Sequence, residues 1–235
     1  MNLAVIPARG GSKRIPRKNI KPFCGQPMIA WTIKAAIDSG CFDRIVVSTD
    51  DEEIASVARA WGAEVPFMRP AELADDHAGT MPVVAHAIRE LSQDDPLESV
   101  CCLYATAPFV RPEDIARGQN TLNKSADCDF AFTVTSFAFP IQRALKMTPK
   151  GRVNMFWPEH FQTRSQDLEE AWHDAGQFYW GRPDAWLESR PLFSSQSCPI
   201  VLPRHRVQDI DTPEDWVRAE WMFKALQHAE SGTLQ

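Results

Sequence analysis

Positive charge is concentrated in one short segment near the amino terminus. Of the 25 Lys and Arg residues in the chain, six fall between positions 9 and 21, and no acidic residue lies among them. They are Arg9, Lys13, Arg14, Arg17, Lys18 and Lys21. Gly10, Gly11 and Ser12 belong to the same segment, so backbone N–H groups and a hydroxyl can approach an anion closely. The segment therefore predicts a phosphate-binding loop in which Arg9, Lys13 and Lys18 supply the charge.

The position of this segment supports the same interpretation. It follows the apolar run 3–8, which is typical of a buried strand, and it precedes a helical pattern at 28–39. Open α/β sheets bind ligands at the carboxyl ends of their strands, which is where this loop would lie. The segment has neither the P-loop spacing nor G-x-G-x-x-G, which argues against an ATPase or a dinucleotide-binding protein. The alternative is a solvated basic turn.

Asp209 and Asp211 form a second candidate site, after the apolar run 199–202. Carboxylates two residues apart on an extended segment point to the same side, where both can address one hard cation. Mg²⁺ fits such a pair best. The alternative is a capping role, because a helix begins at Thr212-Pro213 and its dipole favours acidic residues there. A polyphosphate nearby would supply further ligands and so favours the metal site.

Polar and aromatic residues are mixed in two later segments, at 164–168 and 173–180. Such a mixture suits recognition of a hydroxylated, amide-bearing sugar, and Arg164 is available for a carboxylate. The alternative is a polar network beneath a loop, with the aromatic side chains in the core.

The spacing of apolar residues predicts alternating strands and helices over the first half of the chain. Strands are predicted at 3–8, 44–49, 64–68 and 100–105, and helices at 28–39, between 50 and 62, at 80–91 and from Pro112 onward. For the second helix, Asp50 and Glu53 have the spacing of a capping box, and Gly62 marks the end. The alternation predicts an α/β fold with three layers, α/β/α, around a mostly parallel, Rossmann-like nucleotide-binding sheet.

The pattern changes after about residue 129, where short β-rich runs are separated by polar, proline-containing loops. We expect a small antiparallel excursion from the main sheet at about 138–172, then a return to the sheet and a final helix at 213–229. No repeat or linker divides the chain, so residues 1–235 are predicted to form a single domain.

The composition fits one α/β domain, because 44% of the residues are hydrophobic and 24% are charged. The formal net charge of −6 argues against a nucleic-acid partner. The sequence shows neither a signal-peptide pattern nor about 18 consecutive apolar residues, so we expect a soluble, cytoplasmic protein without a membrane partner. The six cysteines form no CxxC pair and are expected to be reduced packing residues.

Together these motifs resemble the CMP-sialic acid synthetase family over almost the whole chain. The resemblance rests on ARGGSK at 8–13 with Lys18-Asn19, VSTDDEEIA at 47–55, Arg69-Pro70 and the Asp209-x-Asp211 pair. Further runs at 139–145, 155–159 and 164–180 are similar to the members of the family that act on pseudaminic acid. Tyr104 stands where the sialate enzymes carry a Gln, which argues against a sialate substrate.

The resemblance implies a reaction, a cofactor and a set of site residues. In the reaction, the C2 hydroxyl of a nine-carbon α-keto acid sugar attacks the α-phosphorus of CTP, giving a CMP-sugar and pyrophosphate with Mg²⁺ as cofactor. The catalytic candidates are Arg9, Lys13, Lys18 and Asp211, and the metal candidates are Asp209 and Asp211. The nucleotide-binding candidates are Ala8, Arg9, Gly10, Gly11, Ser12, Lys18, Asn19 and Arg69. The sugar-binding candidates are Tyr104, Gln142, Arg143, Arg164, Gln177 and Tyr179. The resemblance also implies a homodimer in which the excursion reaches over the partner's active site.

Three alternatives remain open at this stage. Within the same family, the sugar is N-acetylneuraminic or legionaminic acid instead of pseudaminic acid. A glycosyltransferase would also use an acidic pair, but normally in mid-chain and without an amino-terminal polyphosphate loop. A non-catalytic module that binds CMP-sugars would keep the pocket, but it would not need Arg9, Lys18 and Asp211.

Overall fold

The computed structural model describes residues 1–75, 79–92 and 96–232. In this part of the chain the strands are β1 (Asn2–Pro7), β2 (Pro22–Phe23), β3 (Gln26–Pro27), β4 (Arg44–Ser48), β5 (Ser99–Leu103), β6 (Phe130–Ser136), β7 (Leu145–Met147), β8 (Val153–Met155), β9 (Trp172–Gly181) and β10 (Ser197–Val201). The α-helices are α1 (Met28–Ser39), α2 (Glu52–Ala60), α3 (Thr80–Leu91), α4 (Pro112–Lys124), α5 (Pro183–Leu187) and α6 (Pro213–Glu230).

Six strands form the central sheet, in the order β10-β6-β9-β5-β1-β4. β1 pairs in parallel with β4 and β5, and β10 pairs in parallel with β6. Only β9, which lies between β5 and β6, runs antiparallel to its neighbours. The prediction of a mostly parallel sheet is confirmed.

Successive residues of the strands pack on opposite faces of the sheet, as the pleat requires. One face buries Ala4 and Ile6 of β1 against α1, α2 and α4. The other face buries Leu3 and Val5 against α3 and α5. The predicted three-layer α/β/α architecture is therefore confirmed. The neighbouring Cys101 and Cys102 point to opposite faces, and all six cysteines are free.

A third apolar cluster lies outside these two layers, beneath the basic loop. It contains Ile15, Phe23, Met28, Phe109, Ile210, Trp216, Ala219 and Phe223. Its members come from both ends of the chain, so it packs α6 and the segment before it against the amino-terminal loop. Edge-to-face contacts of Phe23 with Trp216 and Phe223, both with ring centroids 5.4 Å apart, help to fix this packing.

Two details of the prediction are wrong. The segment 64–68 is not a strand: within it only Glu64 forms a bridge, to Val46. Glu64 N–H donates to the Ile45 carbonyl, but two residues further on Pro66 has no N–H to continue the ladder. The second error concerns the N-cap of α2. Asp51, and not Asp50, caps the helix, because the Asp51 carboxylate accepts from the N–H groups of Glu53 and Ile54.

The excursion occupies residues 137–171, between β6 and β9. It consists of the separate antiparallel hairpin β7–β8 and three short 3₁₀ turns, which agrees with the predicted span. Many of its apolar side chains are exposed, among them Phe139, Leu145, Met147, Val153, Phe156 and Phe161. None of the helices in the described ranges has both the length and the apolar composition to cross a membrane.

Candidate functional site

The basic loop is fixed by hydrogen bonds near its ends and by several ion pairs. Asn19 donates through Nδ2 to the Arg9 carbonyl over 2.9 Å, which ties the end of the loop to its beginning. Gly10 N–H donates to Asp50 Oδ1 over 2.9 Å. A Cβ at position 10 would lie 2.7 Å from Asp51 Oδ2, so only glycine allows this close approach.

Arg17 clamps the loop to the start of α2. Its guanidinium donates to both carboxylate oxygens of Asp51, over 2.5 and 3.0 Å, and it also pairs with Glu53. The backbone of Arg17 has a φ of 57°, a conformation that non-glycine residues rarely adopt. The hydrogen bonds from Arg17 are the main reason that the pKa of Asp51 falls from 3.8 to about 2. Asp51 therefore caps α2 and holds the loop at the same time.

The carboxylate pair lies against the same loop. Lys18 Nζ donates to the Ile210 carbonyl over 2.7 Å and to Asp211 Oδ1 over 3.3 Å, and Arg14 donates to Asp211 Oδ2 over 2.7 Å. Ile210 is buried in the third cluster, whereas Asp209 and Asp211 on either side are not. The alternation that the sequence predicted is thus present, with the carboxylates away from the core.

The capping hydrogen bonds at the start of α6 are made by residues other than this pair. Thr212 is the N-cap, and it forms a reciprocal capping box with Asp215. Asp215 Oδ2 also accepts from the N–H groups of Asp211 and Thr212. The side chains of Asp209 and Asp211 therefore do not make the cap, and the carboxylate of Asp211 instead pairs with Arg14 and Lys18.

A polar cavity of about 200 Å³, here called the loop cavity, opens between the basic loop and the end of β5. It is lined by Pro7, Arg9, Ser12, Lys13, Arg14, Ile15, Lys18, Asn19, Tyr104, Ala105, Thr106 and Asp211. The structure therefore brings together six of the predicted nucleotide, catalytic and metal residues, which are Arg9, Ser12, Lys13, Lys18, Asn19 and Asp211. Ala8, Gly10 and Gly11 belong to the loop backbone but do not line the cavity.

A second cavity of about 340 Å³, here called the bulge cavity, lies next to the first. It is lined by Tyr104, Thr106, His173, Asp174, Ala175, Gly176, Val207, Gln208 and Asp209. Tyr104 and Thr106 line both cavities, and the two carboxylates of the acidic pair are divided between them. Two adjoining cavities that share a wall can hold two substrates side by side.

Arg69 was predicted to contact the nucleotide, but in the structure its guanidinium binds other residues of the protein. The side chain is buried and donates to the hydroxyl and the carbonyl of Ser48, and burial lowers its pKa. It does not line the loop cavity. Arg69 thus fixes the carboxyl end of β4 beside the site, and a nucleotide contact from it stays a prediction.

The predicted sugar residues fall into two groups. Tyr104 follows β5 and lines both cavities, whereas Gln177 and Tyr179 are buried in β9 and line neither. Gln142, Arg143 and Arg164 lie in the excursion, and none of them lines either cavity. They bind within the excursion instead: Gln142 to Glu169, Arg143 to Thr163, and Arg164 to Asp167. Within a single chain, the structure does not bring this second group to the site.

Residues that the sequence did not single out also line the site. Arg14 is paired with Asp211, Thr106 lies on the wall between the cavities, and Asp174 faces the bulge cavity. Arg14 was counted among the basic residues, and Asp174 lies within the polar and aromatic run 173–180. The run indicated the region, but only the fold shows that the carboxylate of Asp174 borders a cavity.

The acidic pair fits a divalent cation by its chemistry. Partial shielding from water by the surrounding protein raises the pKa of Asp209, and the negative charge of Asp211 raises it further. The two carboxylates are therefore close enough to repel each other, and a cation bound by both would remove this cost. The described residues contain no cluster of three or more His, Cys, Asp or Glu placed to hold a metal. A cation here would complete its shell with water or phosphate oxygens.

Comparison with known proteins identifies the class. A family model described as cytidylyltransferase matches residues 3–155. The chain belongs to the cytidylyltransferase family.

Its relatives include two proteins of defined activity and similar length. The chain is 47% identical over 224 residues to the pseudaminic acid cytidylyltransferase of Campylobacter jejuni, covering 95% of this chain and 96% of that protein. It is 34% identical over 238 residues to the CMP-N,N'-diacetyllegionaminic acid synthase of Legionella pneumophila, covering 97% and 98%. A CMP:2-keto-3-deoxy-manno-octonic acid synthetase solved with CTP has the same fold, with a TM-score of 0.70 at 17% identity, covering 95% of this chain and 98% of the other.

The Arg17–Asp51 clamp predicts a pH dependence of stability. The pKa of Asp51 in the folded chain, about 2, lies below the ordinary value of 3.8. The clamp therefore stabilises the fold above pH 4, and its contribution is lost as the pH falls through 2. Asp51→Asn keeps the capping oxygen and removes the charge, so it should lower the free energy of unfolding by about 1–2 kcal/mol at pH 7, with less loss at pH 3.

Urea denaturation at pH 7, 4 and 3 measures this effect. Glu53→Gln is the matched control, because Glu53 contacts the same Arg17 from an exposed position and should contribute less than about 0.5 kcal/mol. If Asp51→Asn and wild type lose stability in parallel over this pH range, the clamp does not hold the loop.

Proposed function

We propose that this protein transfers CMP from CTP to a nonulosonic acid and releases pyrophosphate. Pseudaminic acid is the substrate that we propose within this class of sugars. One observation carries the proposal: a basic loop and an acidic pair meet at two adjoining cavities, one suited to a nucleotide and the other to its co-substrate. The 47% identity to a pseudaminic acid cytidylyltransferase over nearly the full length of both chains supports the choice of sugar.

In this proposal the triphosphate lies in the loop cavity. Arg9, Lys13 and Lys18 line it and supply positive charge, and Ser12 adds a hydroxyl. Asn19 holds the loop closed through the Arg9 carbonyl. Because phosphoryl transfer needs little covalent help from a protein, these residues act by holding the α-phosphorus in place and by offsetting the charge that develops on the leaving pyrophosphate.

The sugar lies in the bulge cavity, which adjoins the loop cavity at Tyr104 and Thr106. Where the two cavities meet, the C2 hydroxyl would attack the α-phosphorus as the bond to pyrophosphate breaks. Asp209 lines the bulge cavity and Asp211 lines the loop cavity, and we assign to them the binding of Mg²⁺. When bound, Mg²⁺ would neutralise negative charge on the phosphate oxygens.

The geometry disfavours the other classes. A glycosyltransferase has no need for a cavity lined by Arg9, Lys13 and Lys18, which suits a polyphosphate. A non-catalytic module would not need Asp211 to be held beside the phosphate-binding residues by both Arg14 and Lys18. N-acetylneuraminic and legionaminic acids remain the alternative substrates. The 34% identity to a CMP-N,N'-diacetyllegionaminic acid synthase is the reason to test legionaminic acid.

We further propose that the whole chain is one domain and acts as a homodimer in the cytoplasm. The excursion projects from the sheet with Phe139, Met147 and Phe161 largely exposed, and such an apolar surface is typical of an interface. Its polar residues Gln142, Arg143 and Arg164 would then contact the sugar held by the partner subunit. Six free cysteines are compatible with a reducing compartment.

The metal assignment predicts different effects for the two carboxylates. Asp211→Asn should raise the Mg²⁺ concentration for half-maximal activity by at least about tenfold, because Asp211 lines the phosphate-holding cavity and one charge-assisted contact is worth about 1.5–3 kcal/mol. Asp209→Asn should have a smaller effect. Glu214→Gln is the control: Glu214 is an exposed acid in the first turn of α6 that lines neither cavity, so its replacement should leave the Mg²⁺ dependence unchanged. If all three variants respond to Mg²⁺ like wild type, the acidic pair is not the metal site.

The substrate assignment is tested with a panel of sugars. Purified protein, CTP and Mg²⁺ are incubated with pseudaminic, legionaminic or N-acetylneuraminic acid, and pyrophosphate and CMP-sugar are measured. We expect kcat/KM for pseudaminic acid to exceed that for N-acetylneuraminic acid at least about a hundredfold, which corresponds to roughly 2.7 kcal/mol. Equal rates on the two sugars would refute the pseudaminate assignment, and no pyrophosphate with any sugar would refute the reaction.

The dimer is tested by charging the apolar surface of the excursion. Phe139→Asp with Phe161→Asp should give a monomer in analytical ultracentrifugation and should lose most of the activity, because each site would lack the partner's excursion. Trp221→Asp is the control, since Trp221 is equally exposed but lies on α6. A monomeric wild type, or an active monomeric variant, would contradict the proposal.

A further inference from the structure

A β-bulge places one carboxylate at the bulge cavity. Along the β6–β9 pair, Phe132 faces Tyr179 but Val134 faces Asp174, so that β9 has four residues where β6 has one. Gly176, within the bulge, has a φ of 61°, which glycine adopts without strain. The bulge turns the backbone so that Asp174, Ala175 and Gly176 all line the cavity.

The carboxylate of Asp174 is held by two hydrogen bonds from β9 itself. Oδ1 accepts from Gly176 N–H over 2.8 Å, and Oδ2 accepts from the Tyr179 hydroxyl over 2.5 Å. A carboxylate can accept about four hydrogen bonds. Two are made within the strand, so the carboxylate keeps acceptor capacity at the cavity it lines.

Two tyrosines lie behind this carboxylate. The rings of Tyr104 and Tyr179 have centroids 5.2 Å apart, and Thr80 Oγ1 lies 3.1 Å from the Tyr104 hydroxyl. An ionised carboxylate only accepts, so the Tyr179 hydroxyl must donate to Asp174. Burial raises the pKa of both tyrosines, which keeps them protonated in these roles.

The hydrogen bond from Tyr179 decides what Asp174 can offer to a ligand. Its carboxylate is fixed in position by the hydroxyl of a buried tyrosine. The remaining acceptor positions of the Asp174 carboxylate are available to a hydrogen-bond donor in the bulge cavity.

We propose that Asp174 is a specificity-determining residue that accepts a hydrogen bond from an N–H or O–H group of the acidic sugar in the bulge cavity. This inference rests on the proposed function, which assigns the sugar to that cavity. The negative charge of Asp174 also orients the sugar, because the carboxylate of the sugar is repelled from it and must point elsewhere. Asp174 thus favours the part of the sugar that carries the hydrogen-bond donor and repels the part that carries the carboxylate.

Asp174→Asn is the decisive variant, because asparagine keeps the side-chain oxygen that accepts from Gly176 and so keeps the bulge. It removes the charge and one acceptor. We expect the KM for pseudaminic acid to rise at least about tenfold, with the KM for CTP and the melting temperature nearly unchanged. Asp127→Asn, at an exposed turn outside both cavities, is the matched control and should behave like wild type.

The donor is identified by repeating the assay with N-acetylneuraminic acid, which has one acylamino group where pseudaminic acid has two. A loss confined to pseudaminic acid assigns the bond to the second acylamino N–H. A loss on both sugars assigns it to a donor that they share. Tyr179→Phe provides a second test that keeps the buried ring: without its hydroxyl the carboxylate is less well fixed, and the sugar KM should rise about threefold or more.

Two results separate this inference from the function on which it rests. If wild type forms no pyrophosphate from CTP and any of the sugars, the proposed function fails. If wild type is active and Asp174→Asn leaves the sugar KM within about twofold, the function stands and Asp174 serves only the bulge. A parallel rise in the KM for both substrates would likewise show a general structural defect and would overturn the specificity role.

Discussion

The site depends on the contact between Lys18 and the segment 209–211. Lys18 donates both to the Ile210 carbonyl and to the Asp211 carboxylate, and so joins parts of the chain that are 192 and 193 residues apart. The side chain is only 18% exposed, so this contact is partly shielded from water and from salt. It orients the basic loop relative to the acidic pair, on which both the proposed phosphate site and the proposed metal site depend.

An electrostatic contact alone would not hold two such segments together. The third apolar cluster does this from below, because Ile15 of the loop and Ile210 of the acidic pair are buried in the same cluster. Burying side chains of this size contributes about 1.5–3 kcal/mol each, more than one partly exposed ion pair. The charged groups are therefore placed by apolar packing, and their own interactions determine only their orientation.

Much of the fold could be predicted from the sequence because its signals are local. The apolar periods of α1, α3 and α6, and the proline at the start of α4, gave the elements close to their observed bounds. The error at 64–68 has a local cause too, since Pro66 cannot continue a ladder. The error in the N-cap of α2 has no such local cause. The roles of Asp50 and Asp51 depend on Gly10 and Arg17, which reach the start of α2 from the loop.

The site was predictable only where charge or spacing is unusual. The basic loop and the acidic pair stand out in the sequence, and the structure brings them together. The hydrogen bond from Tyr179 to Asp174 has no such signal, because it depends on the bulge in β9. The excursion residues Gln142, Arg143 and Arg164 are a third case: they line neither cavity of their own chain, so a contact with the sugar would require the proposed homodimer.

The loop faces a physical difficulty of its own, which the acidic residues around it resolve. Six positive charges in 13 positions would repel one another in the folded chain before any nucleotide arrives. Arg14 and Lys18 are paired with Asp211, and Arg17 is paired with Asp51 and Glu53. Arg17 is therefore permanently used as a clamp. Arg14 and Lys18 share their carboxylate with the proposed metal, so a cation that enters with the nucleotide would compete for Asp211 and release positive charge towards the phosphates. The same carboxylate thus offsets the repulsion within the loop, and under the proposed function it would couple metal binding to nucleotide binding.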